Sequence, residues 1–125
     1  SDFTVEKISL EGKDKISSEE GFNLHLTPAP KIINMVKDIY PEIFLVGFKA
    51  EYKVSDDELI SSARKRMKTS EADLIVANDV SLVDAGFGSD KNQVFIVGDK
   101  TFAVPLNSKE EIARNIISKI AEKMD

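Results

Sequence analysis

The sequence predicts an α/β fold: a mostly parallel sheet flanked by helices, with an antiparallel hairpin near the C-terminus. Three observations carry this. Ile43-Phe44-Leu45-Val46-Gly47-Phe48 and Leu74-Ile75-Val76-Ala77 are continuous apolar runs with a helical pattern between them. Such runs suit strands buried on both faces of a parallel sheet. Ser55-Asp56-Asp57-Glu58 and Ser108-Lys109-Glu110-Glu111 each read as a capping box that opens a helix. Gly98-Asp99 separates two strand-like segments, as a hairpin turn does.

The elements follow in order. Asp2 to Ile8 alternates weakly and reads as a short strand. Glu11 to Gly21 is polar and carries Gly12, Ser17 and Ser18, so it reads as a loop. Phe22 to Leu26 alternates cleanly, like a half-buried strand, and Thr27-Pro28-Ala29-Pro30 breaks it. Pro30 is placed to open a helix, because the first turn does not need its missing N–H. Ile32, Ile33, Val36, Ile39 and Tyr40 follow at helical spacing, and Pro41 stops them.

After the first apolar strand, Ser55 opens a helix with a narrow apolar stripe of Leu59, Ile60, Ala63 and Met67. Its other face is basic: Arg64, Lys65, Arg66 and Lys68. The second apolar strand ends at Asn78-Asp79, and Asp84 to Asn92 is glycine-rich and polar. Val94–Val97 and Thr101–Leu106 form the hairpin. Ile112, Ala113, Ile116, Ile117, Ile120, Ala121 and Met124 mark the clearest amphipathic helix. There are no internal repeats and no low-complexity segments. An open α/β sheet usually begins with a βα unit, and nothing comparable precedes Asp2. The expectation is a sheet lacking its first half, in a piece of a longer protein.

The chain has 125 residues, which suits one compact domain. With 42% apolar residues and charges of mixed sign, disorder is not expected. A net charge of −5 argues against nonspecific nucleic-acid binding. The absence of cysteine excludes disulfides and thiolate metal sites, and a lone His25 cannot build a histidine cluster. No apolar segment approaches the ~20 residues needed to span a bilayer, and no signal-peptide pattern opens the chain. A soluble, cytoplasmic protein is expected, with neither nucleic acid nor membrane as partner.

Ligands of open parallel sheets bind beyond the carboxyl ends of the strands. Three segments leave strands there: Gly47 to Glu51, Asn78-Asp79, and the turn after Leu26. Pattern alone favours reading Asn78 and Asp79 as turn residues, with the lip of a site as the alternative. Gly86-Phe87-Gly88-Ser89-Asp90 looks like a phosphate loop only superficially, since no Gly-Lys-Ser/Thr follows. Lys15 reads as a solvated loop lysine or as a mobile counter-charge for phosphate. His25 reads as solvent-facing, and the Arg64–Lys68 run as a solvated helix face that could also meet a triphosphate. No Ser–His–Asp or Cys–His set can be assembled. Catalysis here would rest on holding charged substrates and stabilising charge.

SDFTVEKI, KISS, LTPAPKII, LVGFKAE, DLIVANDVS and GFGSD occur in this order. Together they resemble the C-terminal portion of phosphopantothenate–cysteine ligase (phosphopantothenoylcysteine synthetase), from Ser1 to about Met124. Lys15-Ile16-Ser17-Ser18 resembles the archaeal branch, where the ligase is fused to a decarboxylase. The resemblance implies a Rossmann-like fold, a homodimer, and a role in coenzyme A biosynthesis. It implies CTP and Mg²⁺ as cosubstrates, with 4′-phosphopantothenate and L-cysteine. The carboxylate attacks the α-phosphate, giving an acyl-cytidylate and pyrophosphate, and the cysteine amine then displaces CMP. FMN belongs only to the decarboxylase domain, which this chain does not include.

The same resemblance assigns residues. Asp2 matches an aspartate of the nucleotide and phosphopantothenate site. Lys15 matches the first lysine of a mobile catalytic loop. Pro30, Lys31, Ile32 and Ile33 match a nucleotide-contacting segment, Phe48 an aromatic that packs on the nucleotide, and Asn78 a nucleotide-site asparagine. The bacterial pattern has two lysines, four apart, before LIVAND, where this chain has Arg66 and Ser70. Arg66 keeps the charge, and Lys68 is available in place of Ser70. Ser17 and Ser18 stand where the mobile loop carries further lysines. The N-terminal half of the ligase, with its glycine-rich phosphate segment, is not in this chain, so the chain alone is expected to be inactive. The competing reading is a noncatalytic nucleotide-binding or dimerisation domain.

Overall fold

A computed structural model describes residues 3–9, 21, 23–82 and 91–125, with only the backbone for 7–9, 91 and 92. Asp2, Lys15 with its Ser17 and Ser18 neighbours, and the Gly86–Asp90 segment lie outside the described residues. The chain divides into two units, Ser1–Ile32 and Ile33–Asp125.

In the first unit, β1 (Phe3–Ser9) pairs antiparallel with β2 (Asn23–Pro28), Val5 opposite Leu26 and Phe3 opposite Pro28. The register shifts between Val5 and Lys7, a bulge that leaves Glu6 extra. β2 runs through Thr27 to Pro28, beyond the expected break. A proline is tolerated there because the strand ends on it and β2 is an edge. Phe3, Val5, Leu24 and Leu26 are all exposed. His25 is exposed as expected, and its Nε2 lies 2.7 Å from Glu6 Oε2.

The second unit is built on a four-stranded sheet in the order β3-β4-β5-β6. β3 (Val46–Glu51) is parallel to β4 (Leu74–Asp79). β5 (Lys91–Val97) is antiparallel to β4 and forms the hairpin with β6 (Thr101–Ser108). The α/β class, the flanking helices and the C-terminal hairpin are as the sequence predicts. Among the described residues the sheet is mixed, with β3–β4 its parallel pair.

Helix α2 (Asp56–Ser70) joins β3 to β4, and α3 (Lys109–Met124) follows the hairpin. Both begin where the capping boxes place them. The Ser55 hydroxyl accepts the Glu58 N–H at 3.1 Å, and the Ser108 hydroxyl accepts the Glu111 N–H at 3.2 Å.

Two cores lie on opposite faces of the sheet. On one, Leu59 and Ala63 of α2 pack against Ile75, Ala77, Phe95 and Val97, with Ile33 at the margin. On the other, Ile112 of α3 packs against Leu74, Val76, Val94, Ile96 and Val104. Alternation along each strand sends successive side chains to opposite faces and so feeds both cores. The α3 stripe is narrower than expected: Ile112, Ile116 and Ile120 pack, whereas Ile117 and Met124 are exposed.

Two boundaries differ from the sequence reading. The segment after Pro30 is not one helix but a 3₁₀ turn (Ile32–Asn34) followed by the short helix α1 (Val36–Ile39). So few residues between two prolines cannot hold a helix by internal bonds alone, and packing of Ile33 onto the sheet shapes the path. A Cβ on Gly47 would stand 2.6 Å from Ile33 Cδ1 and 2.7 Å from Ile75 Cδ1. Glycine is what lets Ile33 lie so close to β3.

β3 begins at Val46 rather than Ile43. The Leu45 N–H donates to the Asp73 carboxylate at 2.8 Å, and its carbonyl accepts from the Asp73 and Leu74 N–H groups. This connection precedes the regular ladder. The strand then runs on through Lys49, Ala50 and Glu51, because they stay in register with Ala77, Asn78 and Asp79.

Candidate functional site

The parallel pair brings its carboxyl ends together, with Ala50 opposite Asn78 and Glu51 opposite Asp79. Gly47, Lys49 and Glu51 face the α2 side, as do Ile75, Ala77 and Asp79. Phe48 and Ala50 face the other side, with Val76 and Asn78. Phe48 sits across from Val76, so Asn78 lies one same-face step further along. Helix α3 packs on β5 and β6, and Phe48 is left 70% exposed. Asn78 is half-buried, and among the described residues its amide makes no hydrogen bond. An open aromatic ring and an unpaired amide therefore share one patch at the carboxyl edge.

The opposite face at this edge is a closed polar network. Glu51 Oε1 receives the Lys49 ammonium at 3.0 Å and the Ser62 hydroxyl at 2.8 Å. Those two partners, Lys49 first, hold the Glu51 carboxyl below its ordinary range. Asp79 is 8% exposed. Its Oδ1 accepts the Lys53 N–H at 3.1 Å and the Ser81 N–H at 2.8 Å, and its Oδ2 accepts the Val54 N–H at 3.1 Å. The Ser81 hydroxyl foremost, with these N–H groups, lowers its pKa.

The other sequence-derived positions are dispersed. Pro30, Lys31 and Ile32 belong to the first unit, and Lys31 and Ile32 are exposed. Ile33 packs in the core under α2, on the face opposite Phe48 and Asn78. Arg66 is half-buried on α2, the helix of that same opposite face. The structure thus brings Phe48 and Asn78 together and does not bring Arg66 or the Ile33 side chain to them.

Ser70 has its own reason to be small. It is 1% exposed, and its hydroxyl donates to the Arg66 carbonyl at 2.6 Å and accepts the Ala72 N–H at 3.3 Å. A lysine could not occupy that position without a buried ammonium, whereas Lys68 is exposed. Arg64 is tethered rather than free: it donates to the Gly98 carbonyl at 3.2 Å and to the Thr101 hydroxyl at 2.9 Å.

Sequence reasoning missed three features. Lys37 pairs with Asp73 at 2.9 Å and anchors α1 to the start of β4. Asn34 Oδ1 is buried with no hydrogen-bond partner among the described residues. The third is the filled Asp79 carboxylate. Long-range pairing carries no local signal, so only the Asx-turn propensity of Asp79 was visible beforehand.

Acid titration tests the carboxylates. Burial alone would raise the Asp73 pKa, but the Leu45 N–H and the Lys37 ammonium outweigh it and leave it lowered. A lowered folded-state pKa stabilises the fold fully above the unfolded value, about 4 for Asp. That contribution is lost as pH falls through the folded value. Melting temperature is therefore expected to be steady from neutral pH to about 5 and to fall below about 4. Asp73→Asn should fall less steeply; an unchanged slope would remove Asp73 from this account.

Residues 1–124 match the family model described as DNA/pantothenate metabolism flavoprotein C-terminal domain. The chain belongs to this family. The Coenzyme A biosynthesis bifunctional protein CoaBC of Thermococcus kodakarensis is 45% identical over 111 residues, covering 88% of this chain and 26% of that protein. The protein of the same name from Methanocaldococcus jannaschii is 39% identical over 120 residues, covering 96% and 28%. The chain thus spans little more than a quarter of the curated relatives it matches. Among solved structures, the DNA/pantothenate metabolism flavoprotein from Streptococcus pneumoniae superposes with a TM-score of 0.74 at 38% identity. That match covers 87% of this chain and 46% of the other. For this family the described residues offer no group of three or more His, Asp or Glu able to hold a metal ion. No helix among them is long and apolar enough to cross a membrane.

Proposed function

We propose that this chain is the nucleotide-handling part of a phosphopantothenate–cysteine ligase in coenzyme A biosynthesis. The observation that carries the proposal is the Phe48–Asn78 patch at the carboxyl edge of a parallel pair, in a chain of this family. A nucleobase needs a π-face to stack on and an edge partner with both donor and acceptor. Phe48 supplies the first and the Asn78 amide the second. The ligand class is CTP with Mg²⁺.

In this reading Phe48 and Asn78 hold the base. The resemblance gives Asp2, Pro30, Lys31 and Ile32 as contacts to nucleotide and phosphopantothenate, while the Arg66 and Ile33 side chains lie on the α2 face and are not part of the base site. Lys15 offsets charge developing on the α-phosphate as the phosphopantothenate carboxylate attacks it. The P–O bond to pyrophosphate breaks, and the acyl-cytidylate is left. The cysteine amine then forms the amide, and CMP leaves. The exposed Phe3, Val5, Leu24 and Leu26 support the homodimer that belongs to the same proposal.

Pyrophosphate release separates the two half-reactions. The full-length protein, given CTP, Mg²⁺ and 4′-phosphopantothenate without cysteine, is expected to release pyrophosphate once per site. Adding L-cysteine should give continuous turnover with CMP. Absence of pyrophosphate under both conditions would sink the ligase reading and favour a noncatalytic nucleotide-binding or dimerisation domain.

A further inference from the structure

We infer that Asp79 is a positioning residue, whose carboxylate ties the β3–α2 loop to the turn after β4 and so fixes the direction in which Asn78 presents its amide. The inference rests on the reading of Asn78 as a nucleotide contact and adds the residue that aims it.

The two neighbours divide the labour by strand alternation. Asn78 faces the open patch with Phe48, and Asp79 faces the α2 side. Asp79 receives three backbone donors: the N–H groups of Lys53, Val54 and Ser81. Two of them fill Oδ1 and the third takes one of the two positions on Oδ2 of the ionised carboxylate. The carboxylate is 8% exposed and committed to the backbone on both sides of the edge, which suits a structural tie. Its bonds span two separate chain segments that both leave the carboxyl edge.

The loop it holds is an unusual one. Lys53 has φ of 52°, a left-handed conformation that few non-glycine residues adopt. This turns the successive N–H groups of Lys53 and Val54 toward one point, a concavity suited to an anion. Asp79 fills it from within the chain. The Val80 N–H adds a bond to the Glu51 carbonyl at 2.9 Å, so the residues on both sides of the Asn78-Asp79 pair are tied to β3 and its loop. Re-aiming the Asn78 backbone, and with it the Cα–Cβ direction, would have to break this set. The Glu51 side chain takes the Ser62 hydroxyl of α2 and the Lys49 ammonium, and has no hydrogen bond to the Asp79 carboxylate among the described residues.

Hydrogen–deuterium exchange and CTP–Mg²⁺ calorimetry on the full-length protein test the assignment. Asp79→Asn replaces two acceptors with one and puts an NH₂ against N–H donors. Peptides covering Tyr52–Ser55 and Asn78–Leu82 should exchange about ten-fold faster or more, the effect of losing a hydrogen bond to a charged group. Peptides of β5 should stay protected, and the CTP dissociation constant should rise about ten-fold. Asn78→Ala should weaken CTP binding while leaving exchange at Tyr52–Ser55 unchanged.

Unchanged exchange in Asp79→Asn would overturn the clamp. Faster exchange with unaltered CTP affinity, while Asn78→Ala binds weakly, would overturn the positioning role and leave the Asn78 reading standing. Unaltered affinity in both variants would remove Asn78 from the site and the role of Asp79 with it. Should Asp79→Asn also lose β5 protection, Asp79→Glu decides, since it keeps the charge and displaces the two oxygens from the three N–H groups. A smaller rise in dissociation constant supports the role, and no rise overturns it.

Discussion

Phe48→Ala is expected to weaken CTP–Mg²⁺ binding to the full-length protein strongly while leaving its fold intact. The ring is 70% exposed, so truncating it removes little packing, and stability should stay within about 0.5 kcal/mol of wild type. A base stacked on an aromatic ring contributes about 1–3 kcal/mol by alanine substitution, which corresponds to roughly a 5- to 150-fold rise in dissociation constant. Asn78→Ala should act on the same quantity, because among the described residues its amide makes no hydrogen bond that the substitution would cost the fold. The double variant should lose less than the sum of the two, since both groups hold one base. Calorimetry beside a thermal melt reads both quantities. Binding that is indifferent to both substitutions would dissolve the patch as a nucleotide site. A large loss of melting temperature in Phe48→Ala would mean that the ring is packed in solution.

Ile75→Ala carries the largest expected cost to stability, about 2–5 kcal/mol. Ile75 is 0% exposed in a strand flanked by β3 and β5. It packs with Leu59, Ala63, Ala77, Phe95 and Val97 under α2. Truncation leaves a cavity lined by residues of α2 and β5, and a cavity between regular elements collapses poorly. Ile117→Ala is the matched control: its side chain is 64% exposed on α3, and the change should stay within about 0.5 kcal/mol. Urea denaturation of both variants measures the difference. Equal midpoints would show that the core does not sit where Ile75 is placed.

The two isoleucines also show how far sequence reading reached. Both occupy apolar positions in clearly periodic or continuous segments. Nothing in their local patterns says that one is sealed and the other open. In α3 the helical period marked Ile117 as part of the stripe, but the sheet beneath α3 meets only the ridge of Ile112, Ile116 and Ile120. Burial depends on the width of the partner surface, which the helix's own sequence does not contain.

For the site the division is similar. Phe48 and Asn78 were each legible as candidates, from resemblance and from their places at strand ends. Their neighbourhood depended on the parallel register that sets Ala50 against Asn78. Ser70 read as a lost charge, and the structure makes it a buried cap whose hydroxyl serves the Arg66 carbonyl and the Ala72 N–H. Arg66 and Ile33 read as parts of the same site, yet their side chains belong to the face that α2 covers.

Sequence by itself determined what short-range physics governs. Serines at Ser55 and Ser108 start the two long helices because a hydroxyl reaches an N–H three residues on. Continuous apolar runs mark β4 and the first half of β3, and a glycine turn makes the hairpin. Only the tertiary structure decided where β3 begins, which face each strand residue takes, and that Asp79 is spent on Lys53, Val54 and Ser81. The reason is one of range. Capping and periodicity act within a few residues, whereas a carboxylate bridging segments some twenty-five residues apart is specified only once the strands have paired.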